Sequence, residues 1–297
     1  MDTTPANPSC VNVDAAALRA RPLPMPSSDG AKEQRGHVLI LGGSREMPGA
    51  VILAATAALR AGAGKLTIAA SASVAQLVAL ALPEPRVIGP AETGQDGFTD
   101  EAVSLLDPLA DKVNGILIDP GMQDEAATAA LVSALLPRLD GSDTSIVLDA
   151  SAMGVILSPD QDDEGASPFR SARDPAPARR RNGAPDRRQQ GRHRRRAGPP
   201  RGAGGAALER GGGAEGRAHA GHRPDGARWQ HEGGNVGLAI SGSGDTLAGI
   251  LAGLAARGAA LHARGGERPA ERFGILGYLV REIPNEIPAL MEAFARG

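Results

Sequence analysis

Cysteine is nearly missing from this sequence: Cys10 stands alone among 297 residues. One thiol can form neither an internal disulfide nor a thiolate metal site, and no charged-then-apolar leader opens the chain, so a reducing, cytoplasmic setting is expected. Aromatic residues are almost as scarce, at 2%. The core must then be built from Ala, Val, Leu and Ile, and base-stacking platforms for nucleic acid are excluded. No apolar run approaches the ~18 residues of a membrane-spanning helix. The histidines show no metal-ligand spacing, so no metal site is expected; His37, His231 and His262 are isolated and read as surface or packing residues. Cys10 lies before the expected fold and reads as an exposed, unreactive thiol.

Lysine is also rare, three against 29 arginines, and net charge is a mere −2. That near-neutrality conceals an uneven distribution. Residues 168–226 carry fifteen Arg against five acids, and 45 of these 59 residues are Ala, Gly, Pro or Arg, with Leu208 the one aliphatic larger than Ala. Such a segment is expected to supply no strand or core helix. Three readings stay open: a basic arm that binds phosphates, a solvated linker, or a stretch of a GC-rich gene read out of frame, which would yield this vocabulary of residues. Structureless loops of this length inside a compact domain are rare, which favours the last.

Elsewhere the pattern is orderly. His37 to Leu41 is a short apolar run leading into Gly42-Gly43-Ser44, which reads as a buried parallel strand and a turn. Pro48 to Ala61, closed by Gly62, reads as a helix with proline at its start and glycine past its end. Further strands are expected at 65–70, 113–119 and 145–149, and further helices at 73–82, 124–136 and from Gly242 onward. Alternation of this kind implies an α/β fold, with a mainly parallel sheet flanked by helices on both faces and ligands bound beyond the carboxyl ends of the strands.

Two of those ends carry chemistry. The turn Gly42 to Ala50 places small residues before a helix start, where backbone N–H groups can approach an anion; it is neither a P-loop nor a dinucleotide fingerprint. Near the C-terminus, Ser241-Gly242-Ser243-Gly244-Asp245 opens an apolar helix. Its glycines free the backbone to fold amides around an oxyanion, and the helix dipole favours negative charge there. Asp245 is either a first-turn acid complementing the dipole or the group that accepts a hydroxyl proton during phosphoryl transfer. Gly249 and Gly253, four apart on one helix face, point to close helix packing. Trp229 reads as packing the strand that leads into this motif.

Gly42-Gly43-Ser44 with Met47-Pro48-Gly49-Ala50, then Leu59-Arg60-Ala61-Gly62-Ala63-Gly64, and the run from Asn235 through Ser241 to Asp245 together resemble the bacterial ADP/ATP-dependent NAD(P)H-hydrate dehydratases of ribokinase-like fold. The resemblance covers about residues 30–157 and 225–297. It implies one ribokinase-like domain over 1–297, with 1–30 as an N-terminal extension and 168–226 as the anomalous segment. It implies repair of the S epimer of hydrated NADH or NADPH: a nucleotide phosphorylates the added hydroxyl, and phosphate is then eliminated. Position by position, Ala50 and Gly121 would lie against the substrate, Gly242, Ser243 and Gly244 against the phosphates of ADP or ATP, and Asp245 would be the base. Mg2+ with the nucleotide and a homo-oligomer are implied, with no nucleic-acid or membrane partner. A hydroxymethyl kinase of the same superfamily and an inactive nucleotide-binding remnant are the alternatives.

The chain also departs from the family. Asp119-Pro120-Gly121 stands where Gly-Pro-Gly is usual, and Gln123 where another glycine is common. The family's Pro-His-x-Gly-Glu substrate loop and its Lys-Gly nucleotide segment belong between Asp149 and Asn235, and neither is present. A smaller loss is expected after Gly258.

Overall fold

The computed structural model describes residues 10–20, 36–110, 112–139, 142, 144–157, 207–209, 218–222, 228–254 and 279–295. Its centre is a five-stranded sheet of β2 (His37–Leu41), β3 (Lys65–Ala69), β4 (Arg86–Ile88), β5 (Gly115–Ile118) and β6 (Ser145–Leu148). The strands run in the order β4-β3-β2-β5-β6, and every pairing is parallel. Helices cover both faces, and the strand residues alternate accordingly. Leu39, Leu41, Ile116 and Ile118 pack on one face with Ala102, Val103 and Leu106 of α4 (Glu101–Ala110) and Leu131, Val132 and Leu135 of α5 (Glu125–Leu139). Val155 of the short helix α6 (Gly154–Leu157) joins them. Val38, Ile40, Leu66, Ile68 and Leu117 pack on the other face. There they meet Val51, Ala54 and Ala58 of α2 (Pro48–Arg60), Val78 of α3 (Ala75–Ala81) and Ala248 of α7 (Ser243–Leu254). Because both faces are covered, β2 and β5 are apolar at nearly every position, as their sequences indicate.

Local rules account for most element boundaries. α2 begins at Pro48, and the chain leaves its end through Gly62 at φ +105°, a backbone state that glycine adopts without steric cost. α5 runs on to Leu139, past the expected stop before Pro137, because Leu136 and Leu139 are buried there. Arg138 donates from its side chain to the Ala134 carbonyl at 2.6 Å, adding a bond in the turn that holds the proline. β4 and α4 are elements that the sequence reading does not name, although Ala102, Val103, Leu106 and Leu109 of α4 recur at helical spacing and pack on the core.

Two expectations are corrected. The stretch 168–226 does supply strands: β7 (Ala207–Glu209) and β8 (Ala218–His222) pair antiparallel with each other, and β8 with β9 (Arg228–Glu232). Backbone hydrogen bonding can build such a ladder without large apolar side chains. Nor does Cys10 precede the fold. It opens β1 (Cys10–Asn12), which pairs parallel with β9, and α1 (Ala15–Arg19) follows. Leu18 is buried with Ala57, Ile250 and Ile287, the last from α8 (Ile283–Ala295). The N-terminal residues thus complete the packing around α2 and α7.

His37 and His231 are packing residues. His37 Nε2 lies 2.8 Å from Thr67 Oγ1, and burial pushes its pKa down, with Lys65 adding to the effect. His231 Nδ1 reaches Val13 O at 2.7 Å. His193, His262 and the Trp229 side chain lie outside the described residues. Among the described residues no helix is long and apolar enough to cross a membrane.

Candidate active site

After β2 the chain turns into α2 on one face of the sheet, and after β5 into α5 on the other. Neighbouring parallel strands whose connections diverge open a crevice beyond their carboxyl ends, which is where ligands bind in such sheets. Here the backbones are locked together. Asp119 N donates to Leu41 O at 2.9 Å, and Gly43 N to Pro120 O at 2.8 Å. Gly43 and Gly121 adopt φ of +81° and +78°. A Cβ on Gly42 would lie 2.5 Å from Pro120 O, and one on Gly121 would lie 2.6 Å from Ala50 Cβ and 2.8 Å from Met47 O. The residues expected against the substrate, Ala50 and Gly121, therefore touch across the crevice floor.

The start of α7 reaches the same end of the sheet. A Cβ on Gly249 would strike the Ala54 carbonyl, and one on Gly253 would lie 2.8 Å from Ala61 Cβ and 3.0 Å from Ala58 O. Contacts that advance together along both helices mean that α2 and α7 run parallel at close range. Their first turns are then side by side, which brings the 42–50 turn and the 242–245 turn together at one end of the sheet. In that first turn Gly242 adopts φ +88°. Ser243 N donates to Ile240 O at 3.1 Å and Thr246 N to Gly242 O at 3.0 Å.

Asp245 is the most perturbed carboxylate described. Burial, then the negative charge of Asp149, pushes its pKa from 3.8 up to about 6; its own amide works the other way, and the charge of Asp119 adds a smaller upward push. A carboxylate so placed is a better proton acceptor than an ordinary aspartate and is still ionised at neutral pH. Burial also pushes Asp119 up, although hydrogen bonds from Ser151, Ala152 and Met122 oppose the shift.

Sequence reasoning missed three members of this site. Asp149 directly follows β6, and its side chain caps the turn Ala150–Met153 by accepting from Ala150 N at 2.9 Å. Its signal was legible, an acid at the carboxyl end of an apolar strand. Asp119 stands out in the sequence only as a departure from a family pattern. Thr246 is wholly buried in the first turns of α7, and its hydroxyl has no partner among the described residues. Asn235, by contrast, is structural: its side chain accepts from Gly237 N at 2.8 Å and caps a short 3-10 turn.

Beyond the crevice, Arg45 pairs with Glu92 at 2.9 Å and with Asp96 at 3.2 Å. The Arg45 side chain is exposed, so this rim network orients the 42–50 turn more than it stabilises the fold.

Comparisons with known proteins agree with this geometry. The family model for NAD(P)H-hydrate dehydratase matches residues 38–169. An ADP-dependent (S)-NAD(P)H-hydrate dehydratase of Xanthomonas campestris is 42% identical over 317 aligned positions, covering 98% of this chain and 99% of the relative. The Bacillus subtilis protein of the same name is 30% identical, covering 78% of this chain and 76% of the relative. A solved Bacillus subtilis ADP/ATP-dependent NAD(P)H-hydrate dehydratase, co-crystallised with ATP/Mg2+, superposes with a TM-score of 0.62 at 20% identity, covering 96% of this chain and 99% of that one. A ribokinase-like superfamily protein from Enterococcus faecalis gives 0.65 at 18% identity, covering all of both chains. The fold is ribokinase-like, and the chain belongs to the NAD(P)H-hydrate dehydratase family.

Proposed function

We propose that this protein dehydrates the S epimer of hydrated NADH and NADPH at the expense of ADP or ATP. One observation carries the reading: a partly buried carboxylate with raised proton affinity, Asp245, opens a helix at the crevice where Ala50 and Gly121 meet. The hydrated nicotinamide ring lies against Ala50 and Gly121, whose lack of bulk leaves room for it. The nucleotide's terminal phosphate lies at the first turn of α7, where small residues and the helix dipole accommodate negative charge. Ser243 has already committed its amide to Ile240, so the Gly244 amide is the donor this turn offers to phosphate.

Asp245 accepts the proton of the ring hydroxyl as its oxygen attacks the terminal phosphorus and AMP (from ADP) or ADP (from ATP) departs; the phosphate ester is then expelled as inorganic phosphate while the neighbouring ring carbon gives up a proton to solvent, restoring the ring double bond. No group of three or more His, Cys, Asp or Glu among the described residues could hold a metal ion. Mg2+ therefore enters this reading bound to nucleotide phosphates, as suits an ion that keeps its waters and seldom needs a protein cage. Scarce cysteine supports a cytoplasmic setting.

The test is to incubate the purified chain with hydrated NADH and ADP or ATP and follow the return of NADH absorbance. Nucleotide-dependent recovery from the S epimer, with the R epimer left untouched, supports the reading. Phosphorylation of small hydroxymethyl compounds with no action on the hydrate would replace it with a kinase.

A further inference from the structure

Of the described non-glycine residues, three have positive φ: Asp96, Asp119 and Ala150. The last two, at +83° and +43°, lie at the carboxyl ends of β5 and β6, the two strands whose terminal loops face the start of α7. A residue with a side chain in this region is strained by about 1–3 kcal/mol and persists only where its surroundings over-determine it. Asp119 is so determined. It has no exposed surface, and its two oxygens accept three hydrogen bonds: Oδ1 from Met122 N at 3.2 Å, and Oδ2 from Ser151 Oγ at 2.5 Å and Ala152 N at 2.8 Å. The first closes the β5 loop on itself. The other two cross to the turn Ala150–Met153, whose capping residue is Asp149.

We propose that Asp119 is a positioning residue: its carboxylate clamps the β5 loop to the Ala150–Met153 turn and so holds both its own charge and that of Asp149 towards Asp245. Glycine, expected at this position from the family pattern, would satisfy the backbone angle but could make neither cross-strand bond. The clamp has a chemical consequence. From the strands that α7 packs against, the charges felt at Asp245 are those of Asp149 and Asp119, both negative, and from α2 the one charged residue is Arg60, in the last turn and far from the first. The turn Val280–Glu282, which also touches α7, contributes Arg281 and Glu282, and neither is among the charges that move Asp245. Burial and the Asp149 charge do most to keep the proton affinity of Asp245 high, and Asp119 adds a smaller part directly, so the clamp acts mainly by fixing where Asp149 stands.

The inference rests on Asp245 being the base, so the test reads Asp245 both with and without catalysis. In Asp119→Asn the charge is lost and asparagine tolerates positive φ; its one oxygen can keep the two bonds to Ser151 and Ala152, and the bond from Met122 N is given up. The Asp245 carboxyl carbon, followed by 13C NMR in the ligand-free full-length protein, should titrate lower than in the parent, and the acid limb of kcat/KM should move in the same direction. If Asp119→Asn fails to fold, Asp119→Gly accepts this backbone angle but removes both the charge and the clamp on the Ala150–Met153 turn, and must give a downward shift at least as large. An Asp245 midpoint that stays in place in a folded variant would overturn the clamp, leaving Asp119 a purely structural residue. If the parent protein titrates as described but does not act on the hydrate, the dehydratase reading fails while the positioning inference stands.

Discussion

Gly121 and Ala50 meet across the floor of the crevice, so closely that a methyl group on the glycine would lie 2.6 Å from the alanine Cβ. The opposing wall cannot retreat, because the Met47 carbonyl stands 2.8 Å away and Gly121 also holds φ +78°. Gly121→Ala should therefore destabilise the protein by about 1–3 kcal/mol through strain and overpacking. It should raise KM for the hydrate more than it lowers kcat, since it fills the substrate side and leaves Asp245 alone. Thermal melts and initial rates check this, and an unchanged KM would take Gly121 out of the substrate pocket.

Asp245→Asn should cut kcat by about 10²–10⁴, because an amide keeps the shape of the turn but accepts no proton. Nucleotide affinity, measured by calorimetry, should stay close to that of the parent. Stability should move the other way. A carboxyl whose pKa rises from 3.8 unfolded to about 6 folded holds its proton more tightly in the native state, so its ionisation weakens the fold as pH climbs through that window. The variant should be the more stable protein above pH 6 and gain no advantage below about pH 4. Equal melting temperatures at about pH 7.5 would count against a desolvated carboxylate at this position.

How much of this was legible beforehand depended on how local the signal was. The apolar run 37–41, Pro48 and Gly62 carry their own meaning, so β2 and α2 could be read within a residue or two. The glycine turns and Asp245 were visible because small residues before an apolar helix are a local pattern. Asp119 was not, since its role depends on Ser151 and Ala152, more than thirty residues away and joined to it only through the pairing of β5 with β6. Asp149 is remote from Asp245 for the same reason. β1 and β7 are three residues each, too short for an alternation pattern, and their existence depends on β9 and β8.

Asp149→Asn should lower the acid midpoint of kcat/KM. The Asp149 charge stands next to burial among the causes that raise Asp245, and asparagine keeps the cap on Ala150 because its side-chain oxygen still accepts. The pH profile should therefore extend to more acidic solution with little loss of melting temperature. A midpoint that stays near 6 would mean that the Asp149 charge does not set it.

Gly249→Ala tests whether the site depends on the approach of α7 to α2. A methyl group there would meet the Ala54 carbonyl, which is held within α2, so the helices must separate and Asp245 must move with its helix. Displacements of about 1 Å in catalytic geometry cost on the order of 10² in rate, and overpacking costs about 1–3 kcal/mol. Gly154→Ala is the control, since nothing lies within 4 Å of the point a methyl group would occupy there. Full activity in Gly249→Ala would show that the two helix starts need not be held together.

The final prediction concerns residues 168–226. The family match ends at residue 169, where the Arg, Gly, Pro and Ala composition begins. Alignment with the Xanthomonas relative spans 317 positions against 297 residues here, so it carries gaps on this chain's side. The substrate loop and the Lys-Gly segment that the family places before Asn235 are both missing from the sequence. A change of reading frame near codon 168, restored near codon 226, accounts for where the family match ends and for the missing segments, though not by itself for the gaps, whereas a linker or a phosphate-binding arm accounts for the composition alone. Ordering a backbone costs roughly 1–2 kcal/mol per residue, and a stretch with Leu208 as its one large aliphatic has little burial to offset that cost. The chain as written should therefore be poorly soluble and slow, lacking the residues that would orient both substrates. A version translated in the alternative frame across this span should be soluble and faster by at least about 10²-fold, the scale on which lost positioning acts. Both proteins can be expressed and compared by recovery of NADH absorbance from its hydrate with ADP or ATP. Equal rates and equal solubility would overturn the frame account and make the segment a genuine insertion, whose strands Ala207–Glu209 and Ala218–His222 then belong to the working enzyme.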